Sequence, residues 1–266
     1  MKIAPKKTIK ESRFTRTVLL ALACGVSMPA SAATVYINNF QDAVGAGWSS
    51  ADYTIGITQA PTTEFTEKFL GEFGNGTVTL SLASLPDHLY TTVSFDLYLI
   101  RSWDGNATNK VNNDFLGKDH WKLSLGGTTL FDQTFSNGNP AGQSYSPFPG
   151  ATSCNPGYNA PYAPGTFNPM TGAANCYNLG YEFNDPNLGL QSMDSSYNLS
   201  FTFPHSANDI VLNFSAYGLQ PLLTDESWGL DNVRVDVAAV PVPAAVWLFG
   251  SGLLGLIGIA RRRNYT

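Results

Sequence analysis

The sequence predicts an all-β fold: an antiparallel β-sandwich or jelly roll, with an N-terminal signal helix and a C-terminal single transmembrane helix. Three observations carry the prediction. Short runs that alternate apolar and polar residues recur from residue 34 to residue 237, the period of half-buried strands. Gly- and Asn-rich turns separate them, among them Gly74-Asn75-Gly76, Asp104-Gly105-Asn106 and Gly126-Gly127. Outside the two ends, no long stretch carries a helical period.

The N-terminus has the order of a secretory signal. Lys2, Lys6, Lys7, Lys10, Arg13 and Arg16 precede an apolar run from Val18 to Met28. That run is too short to cross a bilayer. Ala30-Ser31-Ala32 then supplies the small residues a cleavage site needs, so residues 1–32 are expected to be removed.

The strand signals follow. Thr77 to Leu82 puts Val78, Leu80 and Leu82 on one face. Val93, Phe95, Leu97 and Leu99 repeat the pattern, as do Leu199, Phe201 and Phe203, then Ile210, Leu212 and Phe214, and finally Val233, Val235 and Val237. Residues 34–39, 53–58, 119–125 and 128–135 are further candidates. Strands of this kind bury a core by closing two inner faces on one another. The sandwich domain is therefore placed at 33–238.

Residues 136–187 interrupt the pattern with an Asn-, Gly- and Pro-rich stretch. Loops of that length without structure of their own are uncommon in compact domains and tend to be functional. The stretch holds Cys154 and Cys176, the only cysteines left once the signal is removed, so a disulfide between them is expected in an oxidising compartment.

From Ala244 to Ala260 the chain is apolar and uncharged, at the short limit for a membrane helix, with Trp247 near one end and Arg261-Arg262-Arg263 at the other. The positive-inside rule leaves the arginines cytoplasmic and the sandwich on the far side of the inner membrane. The tail is placed at 239–266.

Charge and composition exclude several functions. Residues 33–260 hold six basic residues against nineteen acidic ones, a net of −13, so nucleic acid is not expected as a partner. Aromatic residues make up 12% of the chain, which argues against disorder. His88, His120 and His205 are not spaced as a zinc pair, and no Gly-x-Ser-x-Gly elbow is present. No pair of carboxylates stands out, so no catalytic residue is assigned and a non-catalytic role is expected. The alternative is a glycan-active enzyme, a hydrolase or lyase, which would need two facing carboxylates.

Two other chemistries are better represented. Calcium takes six to eight oxygen ligands. Asp225, Glu226, Asp231 and Asn232 fall within eight residues, and Asp96, Asp104, Asn106 and Asp119 form a second acidic group. Asp225, Glu226, Asp231, Asn232, Asp96 and Asp104 are the expected calcium ligands. Glycan binding needs exposed rings with amides and carboxylates beside them. Trp48, Trp103, Trp121 and Trp228 are the tryptophans available, and Trp121 and Trp228 are expected between the sheets. Trp103 lies beside a turn and is expected to be exposed. With Asn106 and the loop tyrosines Tyr158 and Tyr162 it forms the expected sugar site.

Two stretches bring family resemblances. The run VPVPAAVWLFGSGLLGLIGIARRR, with Pro241 and Pro243, a short span, then Arg261, Arg262 and Arg263, resembles the PEP-CTERM sorting signal of exported Gram-negative proteins. Val242 stands where that family's name has Glu. The resemblance implies recognition by an exosortase and delivery to the cell surface or an exopolysaccharide matrix. The runs FLGEFGNGTVTLSLASLPDH, VSFDLYLIRSWDGN, YNLSFTF and DESWGLDNVRV resemble a concanavalin A-like or jelly-roll exported domain. That resemblance implies carbohydrate binding, with a calcium ion tying the last strand to a loop. Many members of the resembled domain carry Asp where this chain has Arg101, which speaks against a metal role at that position.

Overall fold

A computed structural model describes residues 32–61, 67–107, 110–111, 114–115, 117–138, 142–158, 163–185, 189–239 and Phe249. The expected signal segment up to residue 31, the sorting tail from residue 240 onward and Tyr162 lie outside the described residues, Phe249 apart.

Strands dominate the unit Ala30–Val240. In chain order they are β1 (Ala32–Asn38), β2 (Trp48–Ser49), β3 (Ile57–Gln59), β4 (Lys68–Phe73), β5 (Gly76–Leu82) and β6 (His88–Arg101). Then come β7 (Lys110–Val111), β8 (Asp114–Phe115), β9 (His120–Leu125), β10 (Thr128–Thr134) and β11 (Asn175–Cys176). The last are β12 (Glu182–Asp185), β13 (Gly189–Ser192), β14 (Asp194–Pro204), β15 (Ile210–Tyr217) and β16 (Glu226–Ala239). The larger sheet runs β11-β14-β6-β16-β4-β3, with β1 also paired to β16. The smaller runs β10-β9-β15-β5-β2. The strand pairs within both are antiparallel.

The alternation read from sequence sets the two inner faces. Val93, Phe95, Leu97 and Leu99 of β6 are buried in the same cluster as Val78 and Leu80 of β5, Leu123 of β9, and Leu212 and Phe214 of β15. Rings lock the sheets together across the core: Phe95 lies 5.4 Å from both Trp121 and Phe214, and Trp121 6.2 Å from Trp228. Burying each such aliphatic or aromatic side chain contributes roughly 1.5–3 kcal/mol.

β16 departs from expectation. The Asp225–Asn232 run, expected as a ligand loop ahead of the last strand, forms the first half of that strand instead, from Glu226 onward. The strand contains a bulge: Asp231 pairs with Asp96 and Arg234 with Ser94, so Asn232 and Val233 together oppose Phe95. Asn232 adopts a φ of 49°, a left-handed conformation that asparagine tolerates better than most residues. The extra residue shifts the inward phase. Trp228 and Leu230 face the core before it, and Val233 and Val235 after it. One strand thus satisfies two sequence patterns that are out of step.

The 136–187 stretch is not a free platform. Its backbone is tied by bridges between Gln143 and Phe167 and between Ser153 and Thr171. Tyr145 is buried in the main core. Leu179 and Tyr181 cover the outer side of the larger sheet against Phe69, Tyr98 and Ile100. Cys154 and Cys176 form the expected disulfide, separated by 22 residues. Closing a loop of that size contributes about 3 kcal/mol through the unfolded chain.

Candidate metal centre

Asp104, Asp119 and Glu226 converge at one end of the sandwich. One carboxylate oxygen from each lies within 4.8 Å of the others, and all three residues are buried, at 8%, 0% and 0% exposure. Each arrives for a local reason. Asp104 sits in the turn that ends β6, bridged to Ser136. Asp119 immediately precedes β9; its N–H donates to the Gly105 carbonyl (3.0 Å) and its carbonyl accepts from the Phe135 N–H (3.1 Å). Glu226 opens β16 opposite Arg101, two residues before the inward-facing Trp228. Two glycines let the neighbouring loops touch. A β-carbon on Gly117 would collide with the Gly218 carbonyl, and one on Gly218 with the Lys118 carbonyl.

The protein supplies the three acids with few donors. The Asp104 N–H donates to Asp119 Oδ2, and the Gln220 N–H to Glu226 Oε2 at 2.5 Å. Gln220 Nε2 reaches Asp104 Oδ2 at 3.4 Å. Asp119 Oδ1 and Glu226 Oε1 are buried with no hydrogen-bond donor among the described residues. Burial raises the pKa of all three. Asp104 is pushed up to about 7 by desolvation and then by the charge of Asp225. Asp119 and Glu226 are raised by desolvation first, with each also pressed by a neighbouring acid, Asp104 and Asp119 respectively. Buried carboxylates facing one another with unmet oxygens are costly unless protons or a cation neutralise them.

A hard divalent cation fits the donor set. Every side-chain donor is an oxygen, the preference of calcium rather than of zinc or copper. Ligand oxygens about 2.4 Å from a calcium ion lie no more than about 4.8 Å apart, the spread these carboxylates have. Asp104, Asp119 and Glu226 would hold the ion.

The expected calcium ligands are therefore divided. Glu226 and Asp104 meet, and Asp225 stands at the rim, its carboxylate accepting from Ser102 Oγ at 2.5 Å. Asp231, Asn232 and Asp96 are not part of this centre. The alternation of β16 turns Asp231 to the other side of the larger sheet, where its Oδ2 lies 3.2 Å from the Tyr98 hydroxyl. Asn232 donates to Asp96 (2.8 Å) and to Asp231 (3.1 Å), bridging the two. In the sequence Asp119 stands only as a member of the second acidic group; the contact that carries it beside Glu226 is tertiary.

The sugar site expected from sequence is also corrected. Trp103 is fully buried, and its indole N–H donates to the Ser227 carbonyl at 2.8 Å. It has no face to offer a ligand. Asn106 Oδ1 accepts from Thr134 Oγ1 at 2.7 Å, which makes it a strut between loop and strand. Tyr158 is half-buried, with its hydroxyl 3.4 Å from the Asn137 carbonyl. Trp48 packs on Phe214 and donates to the Tyr36 hydroxyl at 2.7 Å. Arg101 pairs with Glu72 at 2.7 Å and lies over the Tyr181 ring.

No protein-family model and no curated protein matches this chain. Among solved structures, the crystal structure of the Agl-KA catalytic domain is similar over 81% of this chain, at 12% identity and a TM-score of 0.31. The match spans 28% of that chain.

Proposed function

We propose that the chain is an exported, non-catalytic protein of the cell surface or extracellular matrix, whose jelly-roll-like sandwich holds a calcium ion and binds exopolysaccharide. The observation that carries the calcium reading is the buried triad Asp104, Asp119 and Glu226, with two oxygens lacking a donor. Export follows from the two ends of the sequence: a leader ending in Ala30-Ser31-Ala32, and a tail with the Pro-span-Arg order of a sorting signal. In this reading the tail anchors the protein in the inner membrane until an exosortase-like enzyme processes it.

A second reading, a glycan-active enzyme, draws on the same acids, because a carboxyl whose pKa is raised towards neutrality can serve as a general acid. Burial weighs against it. Hydrolysis needs carboxyls that reach both faces of a sugar bond, whereas Asp119 and Glu226 have no exposed surface.

Titration calorimetry tests the metal. One calcium ion per chain is the expected stoichiometry, and Glu226→Gln should abolish the heat of binding. Equal binding by wild type and variant would remove the triad from the site. Mass determination of the mature protein from cells with and without the sorting enzyme tests export. Loss of Arg261–Arg263 only when the enzyme is present is expected; retention of the tail in both samples would contradict processing.

A further inference from the structure

We infer that the outer face of the smaller sheet carries a sugar-binding site centred on Tyr217, His120 and Asp132, for a polysaccharide of neutral hexopyranoses. The inference rests on the glycan-binding reading and gives it a place.

Tyr217 ends β15 and is 42% exposed. A surface tyrosine is normally free to rotate, and this one is fixed at both ends. Its ring stacks on His120, its partner in β9, with centroids 4.5 Å apart and planes 12° from parallel. Its hydroxyl lies 2.9 Å from each oxygen of Asp132. His120 Nδ1 is 2.8 Å from the same carboxylate. An aromatic ring held rigid before binding loses little entropy on contact, which is why tyrosines recur as anchors in recognition surfaces. The C–H face of a pyranose is flat and apolar enough to lie on such a ring, while its hydroxyls need donors and acceptors around the edge.

The sheet supplies those. In the next cross-strand row, Ser215 pairs with Lys122 and with Thr77, and Lys122 pairs with Asp132. Short hydroxyl and charged side chains thus extend from the ring across the face. The charge of the domain selects among polysaccharides. A net of −13 over residues 33–260 repels uronate or sulfated chains, so the ligand chemistry is neutral.

The same segments serve the metal centre. Asp119 directly precedes His120, and Gly218 directly follows Tyr217 two residues ahead of Gln220, whose N–H holds Glu226. The platform is built on loops that the acidic triad anchors.

A purely structural role is the competing explanation, since cross-strand aromatic pairs also stabilise a sheet. Affinity electrophoresis of the full chain distinguishes the two. The gel would contain deproteinised exopolysaccharide from the producing cells, separated by anion exchange into neutral and anionic fractions. Wild type should be retarded by the neutral fraction. Tyr217→Ala should weaken retardation by about tenfold or more, the usual scale for truncating a recognition anchor, with its melting temperature nearly unchanged. Tyr217→Phe, which keeps the ring, should retain most of it. Tyr90→Ala, at a 50% exposed tyrosine on the larger sheet, should behave as wild type. Undiminished retardation of Tyr217→Ala overturns this site and leaves the glycan reading standing. Retardation of wild type by the anionic fraction alone overturns the neutral ligand. Retardation by neither fraction overturns both the site and the reading beneath it.

Discussion

Chelation is expected to lower the melting temperature of this protein by about 5–10 °C, and calcium in excess of the chelator to restore it. The estimate follows from linkage. A ligand present at a hundred times its dissociation constant stabilises the folded state by about 2.7 kcal/mol, and a sandwich of this size shifts by roughly 2–4 °C per kcal/mol. The unfolded chain cannot hold the ion, because its ligands come from three distant positions, 104, 119 and 226, that meet only when the loops beyond β6 and ahead of β9 close on the start of β16. Asp119→Asn should melt at the same temperature with and without EDTA. Wild-type melting that ignores both EDTA and calcium would show that the triad is neutralised by protons alone.

Proton neutralisation has its own pH signature. Burial raises the pKa of Asp104 to about 7, above the value of the unfolded chain, and raises Asp119 and Glu226 in the same direction. The folded state therefore binds more protons than the unfolded state. Stability from these groups is fully present below the unfolded carboxylate pKa of about 4 and is lost as pH rises through the folded value. In EDTA the melting temperature should fall between pH 5 and pH 8. With saturating calcium the acids are held ionised by the metal, and the fall should flatten or reverse. A parallel decline in both conditions would mean that the ion does not sit on these carboxylates.

The sequence was most legible where one local period governs a whole strand. Val93 to Leu99 and Ile210 to Phe214 were read with the correct inward faces, because a two-residue repeat needs no knowledge of the partner strand. Legibility failed where two periods meet. The DESWGLDN run looked like a loop since its charges break the apolar alternation begun at Val233, yet Glu226, Trp228 and Leu230 form their own alternation one residue out of phase, and the Asn232 bulge joins the two. Once the run is a strand, its acids cannot all face one ion: successive side chains point to opposite faces, so Glu226 and Asp231 are separated by the sheet. β4, KFLGEF, carries no clean alternation and gives no strand signal in the sequence; it is buried on both faces, with Phe69 against Tyr98 and Phe73 against Trp228. Asp119 reaches the site through tertiary contacts, its backbone bonds to Gly105 and Phe135 and the close approach of Gly117 and Lys118 to Gly218, which no spacing along the chain encodes.

Trp103→Ala is expected to lower stability by about 3–5 kcal/mol, the range for deleting a buried aromatic side chain, and so to lower the melting temperature by roughly 6–20 °C. The turn Asp104-Gly105-Asn106 suggested an exposed ring, but turn residues specify only the backbone. The indole itself points inward, has no accessible surface and belongs to the main core. Its N–H also satisfies the Ser227 carbonyl of β16, so truncation leaves a cavity and a buried acceptor without its donor. Trp103→Phe should recover most of the packing and cost about 1–2 kcal/mol for the lost hydrogen bond. Both variants should bind the neutral exopolysaccharide fraction as wild type does at a temperature where they remain folded. A Trp103→Ala protein of unchanged melting temperature that no longer binds would return this residue to the surface. The opposite result, full binding with a large loss of stability, makes Trp103 the wedge that holds the loop of Asp104 against β16, and through it one of the three carboxylates in place.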